Sequence, residues 1–275
     1  MIQKKVIVTG GTGFIGRHLV PKLLELNYEV IIFGRDSNAA KLLPWIDDVE
    51  FVQYDLDDQV IPDTPMQDIG LIHLAWPGLP NYKKDFHENK NLPDSLSFIE
   101  QCLAAGLKKV LVTGTCFEYG MKEGKILSND ATNPANPYAR AKDKLRQSLL
   151  NLQDKYDFSM QWARLFYMHG PGQNPTSIIA QLDEAANNNE RVFNMSGGAQ
   201  LRDYLPVSEV ADQLLNLYIN YSEGTYNICS GKPISIEQLV RNRIQEQKFK
   251  IELNLGFYPY SDLEPMSFWG ERDIH

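Results

Sequence analysis

The sequence predicts an α/β protein with a doubly wound parallel sheet and a smaller C-terminal α/β lobe. Short apolar runs alternate with segments of helical periodicity through the first half of the chain, a pattern typical of βαβ units. The runs are continuous rather than alternating in hydrophobicity, as expected for strands buried on both faces. Four glycines stand within the seven residues 10–16, directly after the first run. Such a cluster disfavours helix and indicates a specialised turn.

Each element follows from its local pattern. The predicted strands of the sheet are residues 5–9, 29–33, 49–53, 70–74 and 109–113, and the first helix covers 14–27. Later elements are a helix over 177–187, a short strand near Val192, a helix over 208–221, a strand over 225–228 and a helix over 236–247. The tail from Asn254 has no clear period.

The chain divides into two predicted parts. A larger domain covers residues 1–168, and a smaller lobe covers mainly residues 169–275. The segment near 208–221 repeats apolar residues at helical spacing, which predicts a helix. We expect this helix to return to the first domain.

Bulk properties exclude several classes of protein. The 275 residues carry a formal net charge of -8, which disfavours binding to nucleic acid or to an acidic membrane surface. No apolar run approaches the ~20 residues that span a bilayer, and the first residues read as a strand rather than a signal peptide. The three cysteines lack metal-ligand spacing, so we expect reduced thiols, no metal site and a cytoplasmic protein.

The glycine-rich turn stands between a predicted strand and a predicted helix. The segment Thr9-Gly-Gly-Thr-Gly-Phe-Ile-Gly16 places glycines at positions 10, 13 and 16. The first permits a positive φ, the second lets backbone N–H groups approach a pyrophosphate, and the third lets helix and strand pack closely. The turn therefore predicts a bound nicotinamide dinucleotide, in preference to a tight turn with incidental glycines.

The end of the second strand bears on the choice between NAD(H) and NADP(H). NAD-preferring sites place an acidic residue there to accept hydrogen bonds from the adenosine ribose. If the strand ends at Phe33, that position is Gly34, and Arg35 is placed to pair with a 2′-phosphate. This favours NADP(H) over NAD(H). Two alternatives stay open: Asp36 serves as the acidic residue, or Arg35 points into solvent.

Three side chains converge on a second site. Tyr138 and Lys142 are four residues apart, which on a helix places both on one face. The pair alone is a weak signal, because it occurs by chance as a surface Tyr and a solvated Lys. It follows a strand that supplies Thr115 at its carboxyl end, where α/β sheets bind ligands.

These motifs make the chain similar to the extended short-chain dehydrogenase/reductase family, in its nucleotide-sugar branch, with a Rossmann fold. Within that branch it looks most like bacterial dTDP-4-keto-6-deoxyhexose reductases. The matching segments are 9–16, Tyr54-Asp-Leu56, His73-Leu-Ala75, Thr115 with Tyr119-Gly120, the Tyr138 and Lys142 pair, Arg164-Leu-Phe-Tyr-Met-His-Gly-Pro171, Gln200-Leu-Arg-Asp-Tyr204 and Gly224-Thr-Tyr-Asn-Ile-Cys-Ser-Gly231.

The resemblance implies a role for each catalytic side chain. Tyr138 would be the general acid/base for a carbinol–carbonyl pair, and Lys142 would lower its pKa and grip the nicotinamide ribose. Thr115 would hydrogen-bond the same substrate oxygen. The residues expected to contact the cofactor are Gly10, Thr12, Gly13, Phe14, Ile15, Gly16, Gly34, Arg35, Asp55, Leu56, Leu74, Ala75, Trp76, Asn89, Thr113, Tyr138, Lys142, Leu165 and Phe166. Those expected to contact a nucleotide-sugar substrate are Trp76, Thr115, Cys116, Phe117, Tyr167, Phe193 and Arg202.

Departures from the family pattern restrict the chemistry. Sugar 4,6-dehydratases of this branch place Asp-Glu directly after the catalytic Thr, whereas this chain has Cys116 and Phe117 there, with Glu118 one step further. Dehydration is therefore disfavoured. Tyr167 stands where the branch usually has Asn, which leaves the seating of the sugar or its phosphates open.

Three functions remain after dehydration is set aside. They are an NADPH-dependent reductase of a 4-keto-6-deoxy sugar nucleotide, a nucleotide-sugar 4-epimerase with retained NAD, and a non-catalytic NADP-binding sensor. The reductase is preferred, because Arg35 favours NADPH and because a sensor needs no paired Tyr and Lys. Members of the family often dimerise through the helix bearing these residues, so we predict a homodimer through residues 94–105 and 138–153.

Overall fold

The computed structural model describes residues 4–58, 60–260 and 264–275. Its strands are β1 (Lys5–Thr9), β2 (Glu29–Gly34), β3 (Glu50–Gln53), β4 (Gly70–His73), β5 (Lys109–Thr115), β6 (Gly124–Ile126), β7 (Ser159–Leu165), β8 (Tyr167–His169), β9 (Val192–Asn194), β10 (Leu201–Arg202), β11 (Tyr204–Pro206), β12 (Gly224–Ile228), β13 (Ile234–Ser235), β14 (Glu252–Asn254) and β15 (Ser267–Gly270).

The helices connect these strands. They are α1 (Gly16–Glu25), α2 (Ser37–Ala40), α3 (Leu92–Ala104), α4 (Pro137–Leu152), α5 (Ile178–Asn187), α6 (Val207–Asn220) and α7 (Ile236–Gln247). Shorter elements are two 3-10 helices, Ile46–Asp48 and Cys116–Tyr119, and a π-helical turn, His87–Asn91.

The largest sheet has seven strands in the order β12-β7-β5-β4-β1-β2-β3. Every pair of neighbours in it is parallel, which confirms the predicted doubly wound parallel sheet. The strand order reverses between β1 and β4, which are hydrogen-bonded neighbours. Ligands bind in open α/β sheets at this kind of reversal, outside the carboxyl ends of the strands.

Two helical layers cover the two faces of the large sheet. On one face, Phe98 of α3 and Leu145 of α4 pack on alternate sheet residues such as Val110. On the other face, Leu19 of α1 and Leu214 of α6 pack in a second cluster. Because both faces are covered, the central strands β1, β4 and β5 are almost entirely buried, which explains their continuous apolar runs.

The chain returns to the large sheet after the predicted boundary at residue 168. Helix α6 packs against α1, and β12 pairs with β7 at the edge of the sheet. The remaining part is smaller: α5 and α7 share a separate core, and β13, β10, β15 and β6 form a four-stranded sheet. The division into two domains at residue 168 stays a prediction.

No helix among the described residues is both long and apolar enough to cross a membrane.

Candidate functional site

A cleft of about 990 Å³ opens at the carboxyl ends of the large sheet. Its walls come from the glycine-rich turn, the ends of β2, β4 and β5, the start of α4, and the segment that leads into α5. Most of the predicted contact residues line it: Gly10, Thr12, Gly13, Phe14, Ile15, Gly16, Gly34, Arg35, Asp55, Leu56, Leu74, Ala75, Trp76, Thr115, Cys116, Phe117, Tyr138, Leu165, Phe166 and Tyr167.

The glycine-rich turn is packed too closely for side chains at two positions. Gly10 has φ 70°, and a Cβ there would lie 2.8 Å from the backbone nitrogen of Ala75. A Cβ at Gly16 would collide with the carbonyl oxygens of Gly10 and Gly11. Helix α1 begins at Gly16, so its N-terminus faces the cleft beside this bare backbone. A dinucleotide pyrophosphate fits such a turn.

Two hydrogen bonds join the turn to the end of β4. The Thr9 hydroxyl bonds Nδ1 of His73 at 2.9 Å and accepts from the backbone nitrogen of Ala75 at 3.3 Å. Burial lowers the pKa of His73 to about 3, so its ring is neutral at physiological pH. These two hydrogen bonds fix two walls of the cleft, the Gly10 turn and the Ala75 segment, in position relative to each other.

The far end of the cleft carries the charged pair Arg35 and Asp55. Arg35 Nη1 lies 3.9 Å from Asp55 Oδ2, and the two side chains are 63% and 43% exposed. Asp36 caps the N-terminus of α2, where its Oδ1 accepts from the backbone nitrogens of Asn38 and Ala39. Gly34 supplies no side chain, so the end of β2 has no carboxylate free to accept from a ribose.

Thr115 and Tyr138 meet at the centre of the cleft. Thr115 is the last residue of β5, and Tyr138 is the second residue of α4, whose start is capped by Asn136. Burial raises the pKa of Tyr138 well above its ordinary value, and the nearby Thr115 side chain opposes this rise. Both side chains are buried yet line the cleft.

Lys142 lies one helical turn beyond Tyr138 but behind the cleft wall. Its Nζ donates to the carbonyl of Thr113 at 2.7 Å and stands 4.0 Å from the ring centre of Trp76. Burial lowers the pKa of Lys142 to about 7, while Glu118 raises it. The expected lowering of the Tyr138 pKa by Lys142 is not observed: burial raises that pKa, and the Thr115 side chain is the group that lowers it.

Glu118 is fully buried and completely engaged. It accepts from Arg164 Nε at 2.7 Å, from Trp162 Nε1 at 3.1 Å and from the backbone nitrogen of Thr115 at 2.8 Å. Burial raises its pKa, which the Arg164 guanidinium opposes. Glu118 therefore fixes the Thr115 backbone and does not face the cleft as a free acid.

The remaining wall around Thr115 is aromatic. Tyr82 lies 5.5 Å from Tyr138 and 5.2 Å from Phe117, and Tyr167 lies 5.4 Å from Tyr204, all between ring centres. Among the described residues that line the cleft, Arg35 and Asp55 are the charged ones, and both are at the opposite end. Tyr82 was not predicted, because its loop has no periodicity. Tyr204 stands in a segment that the sequence did single out.

Five predicted contact residues do not line the cleft. Asn89 is exposed on the π-helical turn, where the neighbouring buried amide is Asn91. Phe193 is buried in the core of the smaller part, among α5 and α7. Thr113 and Lys142 lie behind the wall, joined to each other. The assignments of Asn89 and Phe193 as contacts are corrected by this placement.

Arg202 also departs from its predicted role. It is 3% exposed, and its Nε and Nη2 donate to Glu264 Oε2 at 3.1 and 3.0 Å. Its Nη1 donates to the carbonyls of Leu201 and Met266. The guanidinium is therefore hydrogen-bonded within the protein, and it lies 5.7 Å from the ring centre of Tyr167, which lines the cleft.

No cluster of His, Cys, Asp and Glu in the described part of the chain could hold a metal ion. The three cysteines are free and buried.

Comparison with known proteins identifies relatives along nearly the whole chain. The profile of the NAD dependent epimerase/dehydratase family matches residues 6–229. A dTDP-6-deoxy-L-talose 4-dehydrogenase (NAD(+)) from Aggregatibacter actinomycetemcomitans is 28% identical over 271 residues, covering 97% of this chain and 99% of that protein.

Solved structures share the fold. A UDP-N-acetylglucosamine 4-epimerase from Methanobrevibacter ruminantium has a TM-score of 0.87 and 24% identity, covering 99% of this chain and 91% of the other. A UDP-glucuronic acid 4-epimerase from Bacillus cereus, solved with UDP-glucuronic acid and NAD, has a TM-score of 0.79 and 21% identity, covering 97% and 90%.

Proposed function

Because the chain belongs to the NAD dependent epimerase/dehydratase family, we propose that it is an oxidoreductase that reduces the 4-keto group of a nucleotide-linked 6-deoxyhexose. The nucleotide we propose is dTDP, and the reductant is NADPH. The observation that carries this proposal is the Thr115–Tyr138 pair, buried beside the glycine-rich turn in one continuous cleft. The acid-base side chains and the dinucleotide seat therefore share a single cleft.

The cleft fits a dinucleotide at the glycine-rich end. The bare backbone of Gly10 and Gly16 leaves no room for a Cβ, and the N-terminus of α1 favours an anion there. Phe14 and Ile15 line the same end, and Leu74 and Ala75 line the facing wall. A nicotinamide held there would supply the hydride that the carbonyl carbon of the sugar accepts.

The protein's own residues handle the proton. Tyr138 holds a proton at its hydroxyl, because burial raises its pKa, and it can deliver that proton to the oxygen of a ketone. The Thr115 side chain lines the cleft beside Tyr138, lowers the pKa of the phenol and is placed to share the same substrate oxygen. Lys142, fixed behind the wall by Thr113, supplies positive charge close to the pair when protonated.

The same geometry argues against elimination of water. Dehydration needs an additional acid and base next to the reacting carbons, and the adjacent cleft positions are Cys116 and Phe117. Burial raises the pKa of the Cys116 thiol well above its ordinary value, so it stays protonated. Glu118 is held by Arg164 and Trp162.

The aromatic wall supports a sugar that lacks a charged C6. The rings of Tyr82, Phe117, Tyr167 and Tyr204 offer apolar faces, and none of the described charged residues lines this end. A carboxylate would lose its hydration there without gaining a cation. A methyl group has no such hydration to lose on entering this wall. The relative that acts on a dTDP-6-deoxy-hexose is consistent with this choice.

The preference for NADPH rests on the end of β2. Arg35 lines the cleft with a largely exposed side chain, while Asp36 caps α2 and does not line the cleft. A guanidinium can pair with a 2′-phosphate, whereas the end of β2 presents no carboxylate to the cleft for the 2′-hydroxyl. NAD(H) is the cofactor in the names of relatives, so both cofactors belong in the assay.

A spectrophotometric assay tests the proposal. Purified protein, NADPH and a dTDP-4-keto-6-deoxyhexose should consume the absorbance of the reduced nicotinamide, with Tyr138→Phe as the control. Parallel reactions with NADH measure the cofactor preference. Consumption no faster than in the Tyr138→Phe control would reject the proposal.

A 4-epimerase is the second candidate, because a 4-epimerase shares the fold over 99% of this chain. An epimerase retains its dinucleotide, so it would convert a nucleotide hexose into its C4 epimer with no added cofactor. The reductase requires stoichiometric NADPH. The homodimer through residues 94–105 and 138–153 and the cytoplasmic location stay predictions.

A further inference from the structure

Trp76 touches both functional side chains of α4. Its indole ring lies 4.0 Å under Nζ of Lys142 and meets the Tyr138 ring edge-to-face, with ring centres 6.1 Å apart. The indole is 9% exposed and forms part of the cleft wall. It thus separates the Lys142 ammonium from the open cleft while staying in contact with Tyr138.

Lys142 has few other partners. Its side chain is 1% exposed, and its hydrogen-bond acceptor is the Thr113 carbonyl, a neutral group. The carboxylate that acts on it is Glu118, which is already paired with Arg164. The neighbouring histidines, His73 and His87, have pKa values lowered by burial, so their rings are neutral and do not interact with the ammonium as charges. The π-face of Trp76 is therefore the second close contact that stabilises the ammonium.

His87 fixes the indole in this position. Trp76 Nε1 donates to His87 Nδ1 at 3.0 Å, and the two rings are stacked with an angle of 13° between them. The other ring nitrogen, Nε2, bonds the carbonyl of Asn81 at 3.1 Å. These partners require the tautomer with the proton on Nε2, which leaves Nδ1 as an acceptor. Protonation of His87 would remove that acceptor and release the indole.

We propose that Trp76 is a positioning residue for Lys142: its ring holds the lysine ammonium beside Tyr138, and the hydrogen bond to His87 holds the ring. The contact keeps the side chain extended along α4 toward Thr113 rather than folded away. Its catalytic meaning rests on the proposed oxidoreductase function, but the contact itself is testable without turnover.

The decisive measurement is the titration of Lys142 in the cofactor-free protein. Lysines labelled with ¹³C at Cε report their charge state by NMR, and the Lys142 signal is identified by its absence in Lys142→Met. Trp76→Phe keeps a π-face, whereas Trp76→Met fills similar space without one. The wild-type pKa should be highest, Phe intermediate and Met lowest, with a total drop of about 0.5–1.5 units.

Two substitutions, one conservative and one not, test the role of His87. His87→Asn keeps an acceptor near the position of Nδ1, and His87→Leu removes it. The Asn variant should retain the wild-type titration of Lys142, and the Leu variant should follow Trp76→Met. Because Trp76→Phe and His87→Asn are conservative, a failure of the harsher variants to fold leaves the comparison intact.

Kinetics connect the contact to the reaction. In Trp76→Phe, the pH profile of kcat for ketone reduction should shift to lower pH by the same amount as the NMR titration. A Lys142 pKa that is unchanged or raised in the Phe and Met variants overturns the proposal, as does a titration shift with no matching kinetic shift. Absence of turnover in the wild-type protein would instead reject the proposed function, and the titration would still decide the contact.

Discussion

The backbone nitrogen of Thr115 donates to the buried carboxylate of Glu118 at 2.8 Å. Glu118 does not line the cleft, but it sets the position of Thr115, which does. The hydroxyl of Thr115 in turn accepts from the backbone nitrogen of Phe117, which completes a capping box around residues 115–118. The carboxylate also binds Arg164 on the next strand, so the turn is anchored to β7.

Replacing Glu118 with Gln should lower the free energy of unfolding by about 3–5 kcal/mol, because Arg164 would be left as a buried charge without its partner. Urea denaturation measures the change. Glu237→Gln removes one partner of the more exposed pair with Arg241 and serves as the control, with a much smaller expected effect. Equal effects of the two substitutions on the free energy of unfolding would show that the buried pair stabilises the fold no more than the exposed pair does.

Removing the Tyr138 hydroxyl should abolish most of the activity without unfolding the protein. Tyr138→Phe should reduce kcat by about 10²–10⁴-fold, the usual contribution of a positioned acid. Thr115→Val should reduce it less, because Tyr138 can still deliver its proton. Cofactor binding, followed by fluorescence titration, should be nearly unchanged in both. A Phe variant with wild-type kcat would remove Tyr138 from the mechanism.

The sequence predicts much of this site because its signals are local. The glycines at 10, 13 and 16, and the spacing of Tyr138 and Lys142, each depend on backbone geometry within a few residues. The parallel strands are equally visible, since burial on both faces produces continuous apolar runs.

The rest depends on long-range contacts that no local pattern reveals. Arg202 resembles a ligand-binding residue, but Glu264, 62 positions away, occupies its guanidinium. Asn89 and Asn91 differ only in which face of the π-helical turn they occupy, and a π-helix breaks the usual 3.6-residue phase. The strands β10 and β13 have two residues each, too few for a period.

Gly10 should not tolerate alanine. Gly10 and Gly124 both have positive φ, 70° and 88°, so alanine strains the backbone at either position. Only at Gly10 would the new Cβ also press on Ala75. Both variants should lose stability, but Gly10→Ala alone should lose dinucleotide binding, measured by isothermal calorimetry. Retained binding in Gly10→Ala would mean that the turn is not the phosphate seat.

Arg35 should set the cofactor preference. Arg35→Ala should weaken NADPH binding by about 1.5–3 kcal/mol more than NADH binding, as expected for a lost charge-assisted hydrogen bond. Asp36→Asn keeps an oxygen that can cap α2 and should leave the ratio of the two dissociation constants unchanged. If Arg35→Ala weakens both cofactors equally, Arg35 does not contact a 2′-phosphate. If Asp36→Asn alone weakens NADH, Asp36 is the ribose acceptor.

Lys142 should make the stability of the protein depend on pH. Its pKa falls to about 7 in the folded chain, against about 10.4 when unfolded. Between these values the unfolded chain binds a proton that the folded chain does not, so the free energy of unfolding should rise with pH across this window. Lys142→Met removes the group. The difference in unfolding free energy between wild type and Lys142→Met should therefore increase from pH 7 toward pH 10, as measured by urea denaturation. Lys144→Met, an exposed lysine of the same helix, controls for the change in net charge. A difference that stays flat, or that falls as the pH rises, would show that Lys142 keeps its proton in the folded protein.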